Sequence, residues 1–176
     1  DEVKKLGCTY QWENIDDATV SGMELTVMAN PVKNLNIGAD FALNNGKYKN
    51  LRSDWEGTKY ADASKYISRF PSTTGSVKLE YSPKTWLFTL YGIYQGKMYI
   101  DYISEIEENK KIKETNPYIT FNARVSKNFG IFNLYAGAKN IFNYVQDEKH
   151  LDDAAFIYAP LYGAQYYAGV SININY

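Results

Sequence analysis

The sequence predicts an all-β chain: an antiparallel up-and-down transmembrane β-barrel of about eight strands. Three observations carry that expectation. Apolar and polar residues alternate with a period of two along most of the 176 residues, the links alternate between tight and long, and the polar set carries charges of both signs. Period two marks a strand, because successive side chains point to opposite faces of a sheet.

The end of the chain shows the pattern most plainly. Tyr166, Ala168, Val170, Ile172, Ile174 and Tyr176 alternate with Tyr167, Gly169, Ser171, Asn173 and Asn175. One face is apolar, the other is mostly small or polar, and the segment stops on an aromatic residue. A bilayer-spanning strand needs about 9–11 residues and carries aromatic girdles at both interfaces. A soluble sandwich strand could alternate in the same way, so the remaining segments decide.

The first segment, near Leu6 to Glu13, alternates only weakly. In the second, Met23, Leu25, Val27 and Ala29 alternate with Glu24, Thr26 and Met28. After the turn Asn30 to Asn34, Leu35, Ile37, Ala39, Phe41 and Leu43 alternate with Asn36, Gly38, Asp40 and Ala42. Val77, Leu79 and Tyr81 alternate with Ser76, Lys78 and Glu80. The turn Ser82 to Thr85 leads to Trp86, Phe88, Leu90, Gly92 and Tyr94. Ile119, Phe121, Ala123 and Val125 alternate with Thr120, Asn122, Arg124 and Ser126. The turn at Asn128-Phe129-Gly130 leads to Phe132, Leu134, Ala136 and Ala138.

Strands two and three, four and five, and six and seven are thus joined by tight Pro, Gly and Asn turns. The other links run long, at about Lys47 to Arg69, Ser104 to Asn116 and Val145 to Tyr162; only Asn14 to Asp17 is short. Tight turns fall at one end and long loops at the other, the asymmetry of outer-membrane barrels with short periplasmic turns and long extracellular loops. Glu24, Asp40, Lys78, Glu80, Arg124 and Lys139 fall on the polar parity. Charges inside a soluble barrel are costly unless paired, whereas a water-filled or plug-filled lumen accepts them. A soluble protein could reverse the faces. The aromatics Trp86, Tyr94, Phe132, Tyr166 and Tyr176, near strand ends on the apolar parity, favour an interfacial girdle.

Composition agrees. The chain has 17 Tyr and 8 Phe against 5 Pro, and a net charge of −1 that offers nothing to nucleic acid. Mean hydropathy is −0.44, and no apolar run approaches the roughly 18 residues of a membrane helix, which excludes a helical membrane protein but not a barrel. Cys8 is the single cysteine and reads as an incidental or buried thiol. The opening Asp1-Glu2-Val3-Lys4-Lys5 lacks the apolar core of a signal peptide, so the expectation is a mature chain, a fragment or a cytosolic protein.

Two stretches go beyond pattern. Lys139-Asn140-Ile141-Phe142-Asn143-Tyr144, followed by Tyr162-Gly163-Ala164-Gln165-Tyr166-Tyr167-Ala168-Gly169-Val170, closely resembles the C-terminal signature of TonB-dependent outer-membrane receptors. In that family an Asn-[Leu/Ile]-Phe-[Asn/Asp] segment ends the penultimate strand and a Gly-Arg-x-[Tyr/Phe] segment opens the last. Asn14 to Leu25 is similar to a second element, Asn-x-x-x-Ala-x-x-x-Gly-[Val/Met]-Glu. The two bracket nearly the whole chain in the family's order, and the Tyr- and Asn-rich style is most like receptors of the Bacteroidetes. Ala164 departs from the pattern, standing where the family usually has Arg.

The resemblance implies that residues 1–176 are the C-terminal portion of a 22-stranded barrel with a plugged lumen, in the outer membrane of a Gram-negative cell. Such receptors take up scarce nutrients (siderophore, cobalamin or oligosaccharide) with energy delivered through TonB. The plug, the TonB contact it carries and the remaining strands are expected outside this sequence. The implied partners are those missing parts, outer-membrane lipid and, by analogy, a surface lipoprotein; nucleic acid is not one. Lumen-facing, plug-facing roles are expected for Glu24, Asp40, Lys78, Glu80, Arg124 and Lys139. Two rivals stay open: an eight-stranded outer-membrane anchor or adhesion barrel that closes alone, and a soluble ligand-binding β-barrel.

Catalysis is not expected. His150 is the only histidine, beside Asp147, Glu148, Asp152 and Asp153 without EF-hand spacing. Glu105 to Lys111 reads as a solvated loop tip, and no nucleophile system or phosphate loop is present. No cofactor and no metal are expected. Ligand contact should come from the long loops, through Trp55, Tyr60, Tyr66, Tyr99, Tyr102, Tyr158 and Tyr162, whose rings can stack on sugars or flat chelates or pack the loops themselves.

Overall fold

The computed structural model describes residues 16–52, 55, 57–102, 111–146 and 157–174. The weak first segment near Leu6 to Glu13 lies outside them, as do Cys8, His150 with its neighbouring carboxylates, the tip 105–110 and Tyr176.

The described residues form nine strands: β1 (Ala18–Val32), β2 (Leu35–Tyr48), β3 (Thr73–Tyr81), β4 (Trp86–Gln95), β5 (Tyr99–Tyr102), β6 (Lys111–Glu114), β7 (Tyr118–Phe129), β8 (Phe132–Lys139) and β9 (Gln165–Ile172). Seven form one sheet in the order β1-β2-β3-β4-β7-β8-β9, every pair antiparallel, while β5 and β6 make a separate hairpin. All seven segments expected after the first are strands of the main sheet. Part of the expected long link at Ser104 to Asn116 is the short strand β6, which pairs with β5, and Ile100 and Ile112 are buried.

The register carries the alternation across the whole sheet. One row runs Ala29, Ile37, Leu79, Leu90, Ala123, Ala138 and Tyr166, each residue paired with the next. A row on the opposite face runs Asn36, Glu80, Thr89, Arg124, Gly137 and Tyr167. A slip of one residue in any pair would reverse a strand's faces, so the continuous apolar row shows that every register agrees with the sequence pattern.

The apolar face is open to its surroundings: Leu25 is 55% exposed, Phe88 42% and Val170 58%. In water a continuous apolar surface of this kind costs roughly 25 cal/mol per Å²; against lipid chains it costs nothing. The buried apolar residues Trp55, Met98, Ile100, Ile112, Tyr158 and Ala159 all lie beyond the main-sheet strands. This inversion, apolar wall outside and core in the links, is that of a membrane barrel.

The three tight turns share one end. Asn34, Lys84 and Gly130 sit there with φ of 66°, 54° and 60°, a left-handed conformation that glycine and asparagine adopt at least cost. Neighbouring turns are tied by backbone bonds from Ser82 N–H to Asn34 C=O (2.8 Å), Asn128 N–H to Thr85 C=O (2.9 Å) and Asn173 N–H to Ile131 C=O (2.8 Å). The edge strands β1 and β9 do not pair with each other among the described residues, so the described sheet is an open wall.

Candidate functional site at the outer rim and inner wall

The three long links meet at the end opposite the tight turns and build a rim with its own core. Met98, Ile100, Tyr158 and Ala159 cluster there, with Tyr118 and Tyr144 packed against them. Tyr118 stacks on Tyr144 at 5.3 Å and meets Tyr158 at 6.3 Å. Gln146, 2% exposed, accepts from the N–H groups of Tyr158 (2.9 Å) and Ala159 (3.1 Å) through Oε1. Its backbone N–H donates to Pro160 C=O at 2.8 Å.

The link after β2 is bound to the β5–β6 hairpin. Arg52 pairs with Asp101 at 2.5 Å, and Ser68 Oγ donates to the other Asp101 oxygen at 2.8 Å. Arg69 N–H donates to Tyr99 C=O at 2.7 Å, Met98 N–H to Thr115 Oγ1 at 3.2 Å and Thr115 N–H to Met98 C=O at 3.0 Å. Tyr66 stacks on Tyr99 at 4.8 Å, with the Lys47 ammonium 5.0 Å from the Tyr66 ring. Burial and the nearby Glu114 charge raise the Tyr99 pKa above the usual tyrosine value, so its hydroxyl stays protonated and can donate.

The expected ligand-contact aromatics therefore divide. Trp55, with Arg52 over its ring at 5.9 Å, and Tyr158 are buried and serve as packing in this structure. Tyr60 is half-buried beneath Lys59, and Tyr162 is 76% exposed. Tyr66 and Tyr99 line a recess of about 210 Å³ together with Asn45, Ser72, Lys97 and Glu114. Tyr102 is the last residue of β5.

The link from β8 to β9 is held by two asparagines in the left-handed region, Asn140 (φ 50°) and Asn143 (φ 58°). Asn140 Nδ2 donates to the C=O groups of Tyr144 (2.6 Å) and Tyr162 (3.2 Å), and Oδ1 accepts from Tyr144 N–H (3.0 Å). Asn143 Oδ1 accepts from Ala164 N–H at 2.9 Å. A Cβ on Gly163 would collide with that same oxygen. The segment that marked the resemblance is thus a clamp between the last two strands.

On the polar face, Glu24, Asp40, Lys78, Glu80, Arg124 and Lys139 share one parity. Asp40 accepts from Thr26 Oγ1 (2.9 Å) and Ser76 Oγ (3.0 Å), and Lys78 pairs with Glu80 at 3.0 Å. The Arg124 guanidinium lies 4.4 Å from the Tyr135 ring. Tyr135 covers Gly169, and Tyr167 covers Gly137 on the neighbouring strand. Sequence reasoning missed Gln146 and these tyrosine–glycine pairs. The pairs had a signal, small and aromatic residues on the same parity of adjacent strands; Gln146 had none.

An antiparallel wall with an apolar outer face, a charged inner face and every long link at one end defines a segment of an outer-membrane β-barrel. The sequence profile described as "TonB dependent receptor-like, beta-barrel" matches residues 2–141; the chain belongs to this family, whose members are receptors and transporters of the Gram-negative outer membrane. A comparison with curated protein sequences finds no match. Among solved structures, the ferric citrate transporter FecA in its unliganded form is similar at TM-score 0.54 and 22% identity, over 78% of this chain and 21% of that one. The copper transporter OprC is similar at 0.57 and 15%, over 90% and 24%. A mutant of the ferric enterobactin receptor PfeA from Pseudomonas aeruginosa is similar at 0.59 and 14%, over 93% and 23%. These likenesses concern the fold, and the chain spans less than a quarter of each of those structures.

Proposed function

We propose that this chain forms the C-terminal wall and part of the outer rim of a TonB-energised nutrient receptor. The observation that carries the reading is the joining of all three long links into one packed rim above a wall with an apolar outside and a charged inside. The rim presents Tyr66, Tyr99 and Tyr162 to a ligand, with Tyr60 and Tyr102 as further candidates. The inner charges, Arg124 foremost, face the plug. Energy reaches the ligand path through TonB acting on that plug, upstream of these residues. A siderophore, cobalamin or an oligosaccharide fits this role, and a surface lipoprotein could cover the rim in the manner of some Bacteroidetes receptors. The chemistry is capture and passage, not bond making.

The match of residues 2–141 to the receptor barrel family supports this reading over a barrel that closes alone. The test is accumulation of labelled ferric siderophore, cobalamin or oligosaccharide by cells expressing the full-length receptor. The reading expects uptake of one class that disappears when TonB is removed. Uptake that persists without TonB contradicts it.

A further inference from the structure

Lys127 is out of place by charge. It lies on the apolar face, opposite Trp86 on β4 and Leu134 on β8. Among the charged side chains of the main-sheet strands, only Lys47, at the rim end, shares that parity. The Lys127 ammonium sits 4.5 Å from the Trp86 ring and 4.6 Å from the Phe129 ring, and it has no ion-pair partner among the described residues. Trp86 stacks on Phe88 at 5.7 Å. The cation is therefore held on an aromatic platform at the tight-turn end, at the depth where girdle residues and lipid headgroups meet.

A groove of about 670 Å³ opens beside it on the same face, lined by Leu79, Phe88, Leu90, Ala123, Ala136 and Ala138 among others and almost wholly apolar. Its size falls in the roughly 300–1,000 Å³ range of small-ligand sites. The groove exists because the alanines of β7 and β8 leave a trough between bulkier side chains. Val125 lines it two residues from Lys127, so the cation stands at its tight-turn mouth.

We propose that this groove and Lys127 form a binding site for one anionic phospholipid, its phosphate on the Lys127 ammonium and one acyl chain along the trough. A cation without an ion-pair partner among the described residues, beside an apolar channel, favours an amphiphile of net negative charge over one whose phosphate is offset by its own ammonium. With the tight turns on the periplasmic side, as the proposed function orients them, the lipid belongs to the inner leaflet.

The test is native mass spectrometry of the full-length receptor purified in detergent and offered phosphatidylglycerol and phosphatidylethanolamine in equal amounts. The wild type should retain phosphatidylglycerol in about fivefold preference, the scale of one lysine's pull on an anionic headgroup. Lys127→Gln should remove the preference, and Ala136→Leu should lower both lipids by filling the trough. Lys127→Gln alone carries the test if Ala136→Leu fails to assemble. Equal retention by the wild type, or an unchanged preference in Lys127→Gln, overturns the site. A Ser82→Cys variant checks orientation separately: impermeant maleimide should reach it only in opened cells, and labelling of intact cells would overturn the inner-leaflet assignment.

Discussion

The side-chain oxygen of Asn143 accepts a hydrogen bond from the backbone N–H of Ala164 at 2.9 Å, across the link between the last two strands. Asn140 completes the clamp with three further bonds and is 7% exposed. Replacing Asn140 by Ala leaves partly buried backbone groups of Tyr144 and Tyr162 without these partners and puts a residue with a Cβ and no compensating bonds at positive φ. The expected loss is about 2–4 kcal/mol. Asn143→Ala should cost less, about 1–2 kcal/mol, because its single bond is more exposed. The temperature at which the full-length receptor loses its folded band on an unboiled denaturing gel should fall further for Asn140→Ala.

Gly163 sits against Asn143 so closely that any side chain would displace the Asn143 carboxamide. Gly163→Val should therefore impair assembly at least as much as Asn143→Ala, and the two changes together should cost less than their sum. Strict additivity in the same gel assay would show that Gly163 serves another purpose.

The rim should behave as one unit because Arg52, Ser68 and Asp101 tie the first long link to the hairpin of the second. Asp101→Asn keeps the shape but removes the charge from a partly buried, charge-assisted contact, a loss of about 1–3 kcal/mol. Protease added to intact cells should then cut the links after β2 and β4 faster than in the wild type, while β1 to β4 remain uncut.

Asp16 secures the start of β1 to the end of β2. One carboxylate oxygen accepts from Asn50 N–H at 2.9 Å and the other from Asp17 N–H at 2.8 Å. The Asn50 bond is the largest cause of a pKa lowered below 3.8, with the Asp17 bond second. A lowered carboxylate pKa means that the clamp is fully present above the unfolded value and is lost as pH falls through the folded one. The Asn50 amide resonance should titrate with a midpoint below about 3.8, and Asp16→Ala should abolish that titration.

How far the sequence could be read depended on periodicity. β1 to β4 and β7 to β9 announce themselves because each alternates over eight residues or more. β5 and β6 have four residues each, too few for alternation to stand out beside the charged stretch near Glu105. The loop aromatics were legible as loop residues, but not their division: Trp55 and Tyr158 are buried by contacts between links distant in sequence, which no local pattern reports. The asparagines and Gly163 were visible as a motif, while their work, positive φ and side-chain bonds to backbone, needed coordinates.

In the proposed receptor the sheet crosses the membrane with Ile37, Ala39 and Phe41 toward lipid and Asn36, Gly38 and Asp40 toward the lumen. Spin labels placed singly at residues 36 to 41 of β2 in the full-length receptor, reconstituted in bilayers, test it most directly. Relaxation by oxygen, which concentrates in lipid, should be high at Ile37, Ala39 and Phe41 and low at the alternate sites. Uniform water-type relaxation at all six positions, or alternation of the opposite phase, would contradict the account.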